Sequence, residues 1–179
     1  MLCIYGLIRC CGFNQPIFTQ KRVGRNGKIF TIFKFRTLRA RPHQSPDFSP
    51  DHGSKSILSL LRCSGFDELP QLFNILRGDM SLVGPRPHTI SDHILFASML
   101  PEYEDRLAVK PGLTGWAQIR GWRGPVTCQR HLAERVAHDL AYISKQHFFF
   151  DLAILVGTVL LPLTASTRRS GLLQTKDVT

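Results

Sequence analysis

Residues 16–38 read PIFTQKRVGRNGKIFTIFKFRTL, and they carry the clearest structural signal in the chain. Two runs rich in β-branched and aromatic residues, PIFTQKRV and KIFTIFKF, flank Gly24-Arg25-Asn26-Gly27. Asn-Gly between two such runs is typical of the tight turn of a β-hairpin. We therefore predict an antiparallel hairpin near the N-terminus.

The next informative segment is DELPQLFNILR at residues 67–77. Its acidic start and basic end suit the dipole of a helix. Pro70 is tolerated only in the first helical turn, where its missing N–H would have no partner in any case. The helix should therefore begin near Asp67, and Gly78-Asp79 should end it.

The remaining chain predicts short helices separated by turns and loops. We expect a loop at 39–53, a short helix at 55–62, a rigid turn at 83–87, a helix at 89–100 that ends before Pro101, and a structured Gly-rich loop at 110–124.

Residues 127–145 give the clearest amphipathic pattern. Leu132, Val136, Leu140 and Ile143 recur on one apolar stripe of the predicted helix. The charged side chains are expected away from that stripe; they are Arg130, Glu134, Arg135 and Asp139.

The composition limits the class of protein. The chain has 179 residues, of which 43% are hydrophobic and 20% charged, so one folded domain is expected rather than a disordered chain. Lys and Arg number 23 against 13 Asp and Glu, and the net charge of +10 favours an anionic partner. Five cysteines at irregular spacing argue against a secreted disulfide scaffold and favour a protein facing the cytosol.

Two apolar segments bear on membrane contact. Residues 1–13, MLCIYGLIRCCGF, and residues 148–163, FFFDLAILVGTVLLPL, are both too short to span a bilayer comfortably. The second segment has two interpretations: a buried core helix, or a helix that lies in the membrane interface beside Arg168 and Arg169. The fold class expected for the chain is α/β, with the N-terminal hairpin packed against several helices and with the domain at a membrane interface.

The adjacent carboxylates Asp67 and Glu68 are the first candidates for chemistry. A structural interpretation makes Asp67 the N-cap of its helix and Glu68 a favourable first-turn charge. A functional interpretation starts from the basic residues in apolar or turn segments nearby, since such cations are costly to bury without an anion. They are Lys34, Arg36, Arg62 and Arg86.

A carboxylate pair among such cations could act on a phosphate ester. One carboxylate would attack phosphorus while the other holds Mg²⁺, which often takes only one or two protein carboxylates. The alternative is that the cations form structural ion pairs with Asp67, Glu68 and Asp79.

Four segments of the chain closely resemble the bacterial sugar transferase family, whose members are polyprenyl-phosphate sugar-1-phosphate transferases that prime exopolysaccharide assembly. The segments are KRVGRNGKIFTIFKFRTL, DELPQLFNILRGDMSLVGPRP, RLAVKPGLTGWAQIRGWRG and HDLAYI. They occur in the family's order, and the resemblance covers roughly residues 14–160. GPRPH together with GWAQIRGWRG most resembles the branch that transfers glucose-1-phosphate or galactose-1-phosphate.

The resemblance implies a two-step reaction at the cytoplasmic face of a bacterial inner membrane. Asp67 matches the nucleophile that attacks a UDP-sugar, expels UMP and carries the sugar-1-phosphate to undecaprenyl phosphate. Glu68 matches the residue associated with Mg²⁺, and Arg62 and Arg86 match phosphate contacts. Lys34 and Arg36 are further expected anion contacts, while Gln118 and Asp139 lie in matching blocks where a structural role is equally expected.

The resemblance also has departures. We expect residues 1–13 to be the remnant of an apolar membrane segment, residues 14–163 to form the catalytic domain and residues 164–179 to form a polar tail. Gly65 stands where the family usually has Ser, and Gly53, Lys55 and Leu58 replace the usual basic and glycine positions.

Two other functions remain open. The chain could be an inactive truncated remnant of the family. It could instead be a small basic nucleic-acid-binding protein, in which Trp116, Trp122 and Arg123 of the Gly-rich loop stack on bases.

Overall fold

The computed structural model describes residues 1–38 and 57–168. The helices and strands of this part, in chain order, are α1 (Leu2–Cys10), β1 (Ile17–Val23), β2 (Ile29–Phe35), α2 (Ile57–Ser64), α3 (Leu72–Leu76), β3 (Ser81–Val83), α4 (Ile90–Met99), β4 (Gly112–Thr114), α5 (Trp116–Ile119), α6 (Gln129–Lys145) and α7 (Phe148–Arg168). Two longer 3-10 helices, Phe66–Gln71 and Pro101–Ala108, precede α3 and follow α4. The predicted mixture of helix and strand is confirmed, while the loop predicted at 39–53 lies outside the described residues.

The predicted hairpin is confirmed. β1 and β2 pair antiparallel from Ile17 opposite Phe35 to Val23 opposite Ile29. Asn26 and Gly27 adopt positive φ values of 55° and 75° in the connection. Asn and Gly tolerate this left-handed backbone better than other residues, so the local sequence explains the turn.

The segment that carries the two carboxylates differs from the prediction. It is not one α-helix over 67–77, because a 3-10 helix at Phe66–Gln71 precedes the short helix α3. Pro70 lies near the end of this 3-10 helix and cannot donate an α-helical hydrogen bond there. Gly65, in a left-handed conformation with φ 78°, precedes the first residue, so the interpretation of Asp67 as the N-cap is wrong. The predicted end is confirmed, since α3 stops at Leu76 and Gly78 has a φ of 82°.

A second, two-stranded sheet joins parts of the chain that were predicted as a turn and a loop. β3 and β4 pair parallel, with Ser81 opposite Gly112 and Val83 opposite Thr114. Glycine permits this pairing, since a Cβ on Gly112 would lie 2.1 Å from the backbone nitrogen of Gly84. The prediction of a loop over 110–124 is therefore wrong in part, because it contains β4 and α5.

The helices α4 and α6 enclose one of the cores. Thr89 caps α4 by accepting a hydrogen bond from the backbone N–H of Asp92 at 3.0 Å, which confirms the helix predicted at 89–100. The core between α4, the 3-10 helix Pro101–Ala108 and α6 consists of Phe96, Tyr103, Leu132 and Val136. The apolar stripe predicted on α6 is thus confirmed.

Two of the charged residues that the sequence places away from this stripe are nevertheless buried. Arg135 and Asp139 are 4% and 3% exposed, respectively. Both are buried because α6 is covered on two sides, and its second covered side meets other ionisable side chains rather than an apolar core.

Helix α7 is not the buried core helix of the first interpretation. Only one side packs inward, at Ile154, against β3, β4 and α5. Phe148 and Phe149 are each 74% exposed, and Leu152, Val156 and Val159 are also largely exposed. Among the residues that the structure describes, no helix combines the length and apolar character needed to cross a membrane.

Candidate active site

Glu68 lies at the meeting point of three segments. Its Oε1 accepts hydrogen bonds from Lys34 Nζ at 2.9 Å and from Arg86 Nη2 at 2.8 Å. Arg86 Nη1 also donates to Oε2 at 3.3 Å. Strand β2, the 3-10 helix Phe66–Gln71 and the turn after β3 therefore contribute one charged side chain each to a single buried cluster.

The two adjacent carboxylates have opposite electrostatic environments. Burial and the neighbouring charge of Glu68 raise the pKa of Asp67 to about 6. Burial alone would also raise the pKa of Glu68, but the charges of Arg86 and Lys34 outweigh it and hold that pKa well below its usual range. Glu68 is thus a fixed anion that orients two cations, while Asp67 is a half-buried carboxylate whose charge is less stabilised.

Arg123 lies close to Gly65 and is a third positive charge that acts on Asp67. A Cβ built on Gly65 would lie 3.3 Å from Arg123 Nη2. Glycine at position 65 therefore leaves room for this guanidinium beside the carboxylates. The sequence analysis considered Arg123 only as a base-stacking residue, because nothing in the sequence shows that residues 65 and 123 are neighbours.

Two of the predicted site residues do not join the cluster. Arg36 donates from Nε to the carbonyl of Gln15 at 2.9 Å, and its guanidinium lies 5.7 Å from the ring centroid of Phe18. Arg62 lies in the last turn of α2 and, within the described part of the chain, forms no ion pair with either carboxylate. Lys34 and Arg86 are the predicted cations that the structure brings to the carboxylates.

The alternative of structural ion pairs is met by Lys34 and Arg86, which both pair with Glu68, but not by Asp79. Asp79 pairs with Arg77 at 3.8 Å instead of with the cations at Glu68. Asp139 receives hydrogen bonds from Arg106, and Gln118 donates to the carbonyl of Leu113 at 3.4 Å. These contacts agree with the structural roles expected for Gln118 and Asp139.

The turn that carries Arg86 is held in place by hydrogen bonds from residues outside the turn. Four consecutive carbonyls, from Pro85 to His88, each accept a hydrogen bond from a residue distant in the sequence. The donors are the backbone N–H of Gly112 at 3.0 Å, Arg106 Nη2 at 2.7 Å, Arg22 Nη1 at 3.1 Å and the backbone N–H of Val23 at 3.1 Å. We call the four donor residues, Arg22, Val23, Arg106 and Gly112, the turn clamp.

A second buried cluster lies behind the turn. Arg106 donates to Asp139 Oδ2 from Nε at 3.0 Å and from Nη2 at 2.7 Å. Arg106 Nη1 lies 3.1 Å from His88 Nδ1, which also contacts the hydroxyl of Tyr103 at 2.7 Å. Burial and the surrounding arginines hold the pKa of His88 well below its usual range. Arg135 Nη1 lies 3.4 Å from His88 Nε2, so a guanidinium, which can only donate, faces each nitrogen of the ring.

Sequence reasoning missed Arg22, His88 and Arg106. Arg106 is 2% exposed, although it lies in a segment whose sequence, PEYEDRLA, is polar and typical of a surface. A buried arginine in such a segment has no local signal, since its partner Asp139 lies 33 residues away.

The carboxylates were also tested as ligands for Mg²⁺. Within the described residues, no group of three His, Cys, Asp or Glu side chains could hold a metal ion by itself. Glu68 Oε1 already accepts from two cations, whereas Oε2 has a single long hydrogen bond, and no cation of residues 1–38 and 57–168 donates to Asp67 within hydrogen-bond distance. This donor set fits a Mg²⁺ that is bound mostly by diphosphate oxygens and water, with only one or two protein oxygens.

Comparisons with known proteins identify the family of the chain. Residues 1–165 match the family described as bacterial sugar transferase. A UDP-glucose:undecaprenyl-phosphate glucose-1-phosphate transferase of Caulobacter vibrioides is 42% identical over 147 residues, which cover 80% of this chain and 55% of the relative. An enzyme of the same name from Escherichia coli K12 is 36% identical over 162 residues, which cover 89% of this chain and 35% of the relative.

A third relative is matched over most of both chains. The exopolysaccharide production protein PSS of Rhizobium leguminosarum bv. phaseoli is 39% identical over 165 residues, which cover 88% of this chain and 82% of the relative. The chain thus spans about half or less of the two glucose-1-phosphate transferases and most of the third relative. With the family match extending over 165 residues, this protein belongs to the bacterial sugar transferase family.

Proposed function

We propose that this chain transfers glucose-1-phosphate from UDP-glucose to undecaprenyl phosphate, and that Asp67 is the nucleophile. The observation that carries the proposal is the contrast between two adjacent carboxylates, one fixed by two cations and one with a pKa of about 6. The donor and acceptor are those in the names of the relatives from Caulobacter and Escherichia coli.

In the first step, an Asp67 carboxylate oxygen attacks the β-phosphorus of UDP-glucose. A bond forms between that oxygen and phosphorus, and the bond from phosphorus to the bridging oxygen breaks, so UMP leaves with its electron pair. In the second step, an oxygen of undecaprenyl phosphate attacks the same phosphorus and releases the Asp67 carboxylate. Dividing the transfer into two displacements is the general advantage of covalent catalysis.

The cations at Glu68 supply electrostatic stabilisation in both steps. Lys34 and Arg86 are pre-oriented by their 2.9 Å and 2.8 Å contacts with Glu68, and the Arg123 charge also acts on Asp67. Cations fixed in advance can stabilise the charge that builds up on phosphoryl oxygens without reorganising during the reaction. Phosphate binding by Arg62 remains part of the proposal, although Arg62 forms no ion pair with Asp67 or Glu68 among the described residues.

We also propose that Mg²⁺ accompanies the diphosphate and that Glu68, through Oε2, is the residue that would hold it. Its chemistry there is to neutralise diphosphate charge as UMP leaves. Two cations already bonded to Glu68 disfavour a dication at that residue without diphosphate, so we expect metal and donor to bind together.

The acceptor is a lipid, and the exposed side of α7 supports a membrane-interface position at the cytoplasmic face of the inner membrane. Six apolar side chains of this helix are between 47% and 74% exposed: Phe148, Phe149, Leu152, Val156, Val159 and Leu160. An apolar helix face on a chain with a net charge of +10 suits an anionic lipid surface.

The transferase is favoured over nucleic-acid binding by the packing of the two tryptophans. The guanidinium of Arg120 lies 4.5 Å from the Trp116 ring, and Phe150 packs against the same ring at 5.1 Å. Trp122 packs against His131 at 5.1 Å. Both indoles are thus occupied by side chains of the chain itself.

The proposal is tested by UMP release from the full chain in membranes, with undecaprenyl phosphate, Mg²⁺ and either UDP-glucose or UDP-galactose. We expect release with UDP-glucose from the wild-type protein and none from Asp67→Asn. Asp79→Asn is the matched control, because Asp79 pairs with Arg77 and lies outside the cluster. Full turnover by Asp67→Asn would exclude Asp67 as the nucleophile.

Other outcomes of the same assay have separate meanings. Release with UDP-galactose alone would change the donor to galactose and keep the mechanism. No release with either donor from a folded, membrane-bound chain would favour the inactive remnant.

A further inference from the structure

Arg86 lies in a segment with few backbone N–H groups for local hydrogen bonds. Pro85 and Pro87 flank it, and proline has no backbone N–H to donate. The carbonyls of this segment instead accept hydrogen bonds from the turn clamp, and two of those donors are guanidinium groups. The direction of the Arg86 side chain therefore depends on contacts from distant parts of the chain.

Arg106 makes the shortest of these contacts to the turn. Its Nη2 donates to the Arg86 carbonyl at 2.7 Å and, with Nε, to Asp139 Oδ2. A guanidinium is planar, so its N–H groups have fixed relative directions. The Arg86 carbonyl is consequently held at a fixed position relative to Asp139 on α6.

The environment of Arg106 supports a specific role. The side chains of Arg106 and Asp139 are 2% and 3% exposed, a burial that is costly for an ion pair. A neutral His88, the hydroxyl of Tyr103 and the buried Arg135 complete the cluster. Arg106 Nη1 uses His88 as a further acceptor, and Arg135 keeps a hydrogen bond to the Gly124 carbonyl. Replacing a buried ion pair by apolar side chains of similar size often leaves the stability of the fold unchanged or raises it. A contribution to stability is therefore a weak explanation for the presence of this pair.

We propose that Arg106, held by Asp139, is a positioning residue for the transfer of sugar-1-phosphate. It fixes the backbone at Arg86 so that the Arg86 guanidinium keeps both contacts with Glu68 and faces the transferred phosphate. The proposal rests on the proposed function for its catalytic meaning, and on the 2.7 Å contact for its structural meaning.

Single substitutions cannot separate this role from a structural one. Removing either Arg106 or Asp139 alone would leave an unpaired buried charge and destabilise the fold. The informative variant is the double substitution Arg106→Met/Asp139→Leu, which removes both charges and keeps apolar volume. It also removes the hydrogen bond to the Arg86 carbonyl.

The control is Val136→Ala. Val136 is 2% exposed, lies one helical turn before Asp139 and packs in the core between α4 and α6. This substitution weakens the same region without touching the turn. We expect it to lower the melting midpoint and leave kcat unchanged.

For the double variant we expect cooperative unfolding, a KM for UDP-glucose close to that of the wild type, and kcat lowered by roughly 10- to 100-fold, since small displacements at a reacting centre are this costly. A folded double variant with wild-type kcat would overturn the proposal. A loss of kcat in Val136→Ala matching that in the double variant would also overturn it, because instability would then explain both.

A second measurement does not depend on turnover. The side-chain Nε–H signal of Arg86 in ¹⁵N NMR, assigned by its loss in Arg86→Lys, reports whether the guanidinium is fixed. We expect a protected signal in the wild-type protein and in Val136→Ala, and a rapidly exchanging one in the double variant. An unchanged signal in the double variant would refute positioning even if the proposed reaction were not observed.

Discussion

Asp67 and Glu68 are adjacent in sequence and differ in what surrounds them. Lys34 and Arg86 contact Glu68 directly, whereas Asp67 is half-buried beside that charge. These surroundings shift the pKa of Asp67 upward and that of Glu68 downward, as expected where two neighbouring carboxylates have different tasks.

The pH dependence of turnover follows from the raised pKa of Asp67, which is about 6. The ionised carboxylate is the nucleophile, so its fraction falls as pH drops through 6. Since Glu68 stays ionised over the accessible range, a single acidic limb is expected. We predict that kcat/KM for UDP-glucose, which reports the free enzyme, falls about tenfold per pH unit below that value. The check is UMP release between pH 5 and 8, and activity that stays constant down to pH 5 would contradict it.

Lys34 and Arg36 provide a matched pair of cations two residues apart. Lys34 donates to Glu68, whereas Arg36 donates to the Gln15 carbonyl at the base of the hairpin. We predict that Lys34→Met lowers kcat by about 100-fold, as loss of a preorganised charge does elsewhere. Arg36→Met should change kcat little. Equal losses of kcat in the two variants, measured by UMP release in folded proteins, would contradict the assignment of Lys34 to the site and of Arg36 to the hairpin.

At this scale the sequence predicted the types of residue better than their neighbours. Burial cost singled out Lys34 and Arg86 correctly as cations that need an anion. The same argument also selected Arg36, but its guanidinium donates to a backbone carbonyl and lies near a phenyl ring instead of pairing with an anion. Arg106 and Arg123 were missed because their contacts join residues far apart in the chain.

Elements with local signals were predicted well, and those built from distant contacts were not. The hairpin has Asn26-Gly27, and α4 has the Thr89 cap and Pro101. By contrast, β3 and β4 are three residues each, and their pairing depends on the close approach of Gly84 and Gly112. No periodicity in three residues can predict such a strand.

The close approach of the two strands gives a test at the scale of the element. A Cβ on Gly112 would lie 2.1 Å from Gly84 N and 2.4 Å from Thr114 O, both backbone atoms that cannot move aside independently. We predict that Gly112→Ala destabilises the fold by about 2 kcal/mol or more, in the range of overpacked cores. The measurement is urea denaturation followed by circular dichroism.

The control for this substitution is Gly124→Ala. A Cβ on Gly124 would meet nothing within 4 Å, and the residue has no positive φ. Its denaturation midpoint should stay close to that of the wild type. Similar losses in the two variants would mean that β3 and β4 are not packed as described.

For the molecule as a whole, charge and apolar surface point to the same kind of partner. The net charge is +10, and the outer side of α7 exposes six large apolar side chains. Either feature alone has several explanations, whereas the two together suit an anionic lipid surface.

We predict that the full chain sediments with vesicles that contain phosphatidylglycerol and binds pure phosphatidylcholine vesicles more weakly. Phe148→Gln/Phe149→Gln should weaken binding to both, because each ring is 74% exposed. Ile94→Gln/Leu95→Gln is the control, since α4 also exposes these two residues, at 65% and 54%. If the control pair weakened binding as much as the α7 pair, α7 would not be the contact face.

The turn clamp has a consequence for how the protein is made. The carboxylates and the turn leave the ribosome before two of the residues that hold the turn in place. The hydrogen bond from Arg106 to the turn joins residues 20 apart in the sequence, and that from Arg22 joins residues 65 apart. Arg106 is itself held by Asp139, which lies a further 33 residues along the chain. Contacts of such range form late, since the intervening chain must first be ordered. A nascent chain released before residue 106 would contain every site residue predicted from the sequence and still have no assembled site.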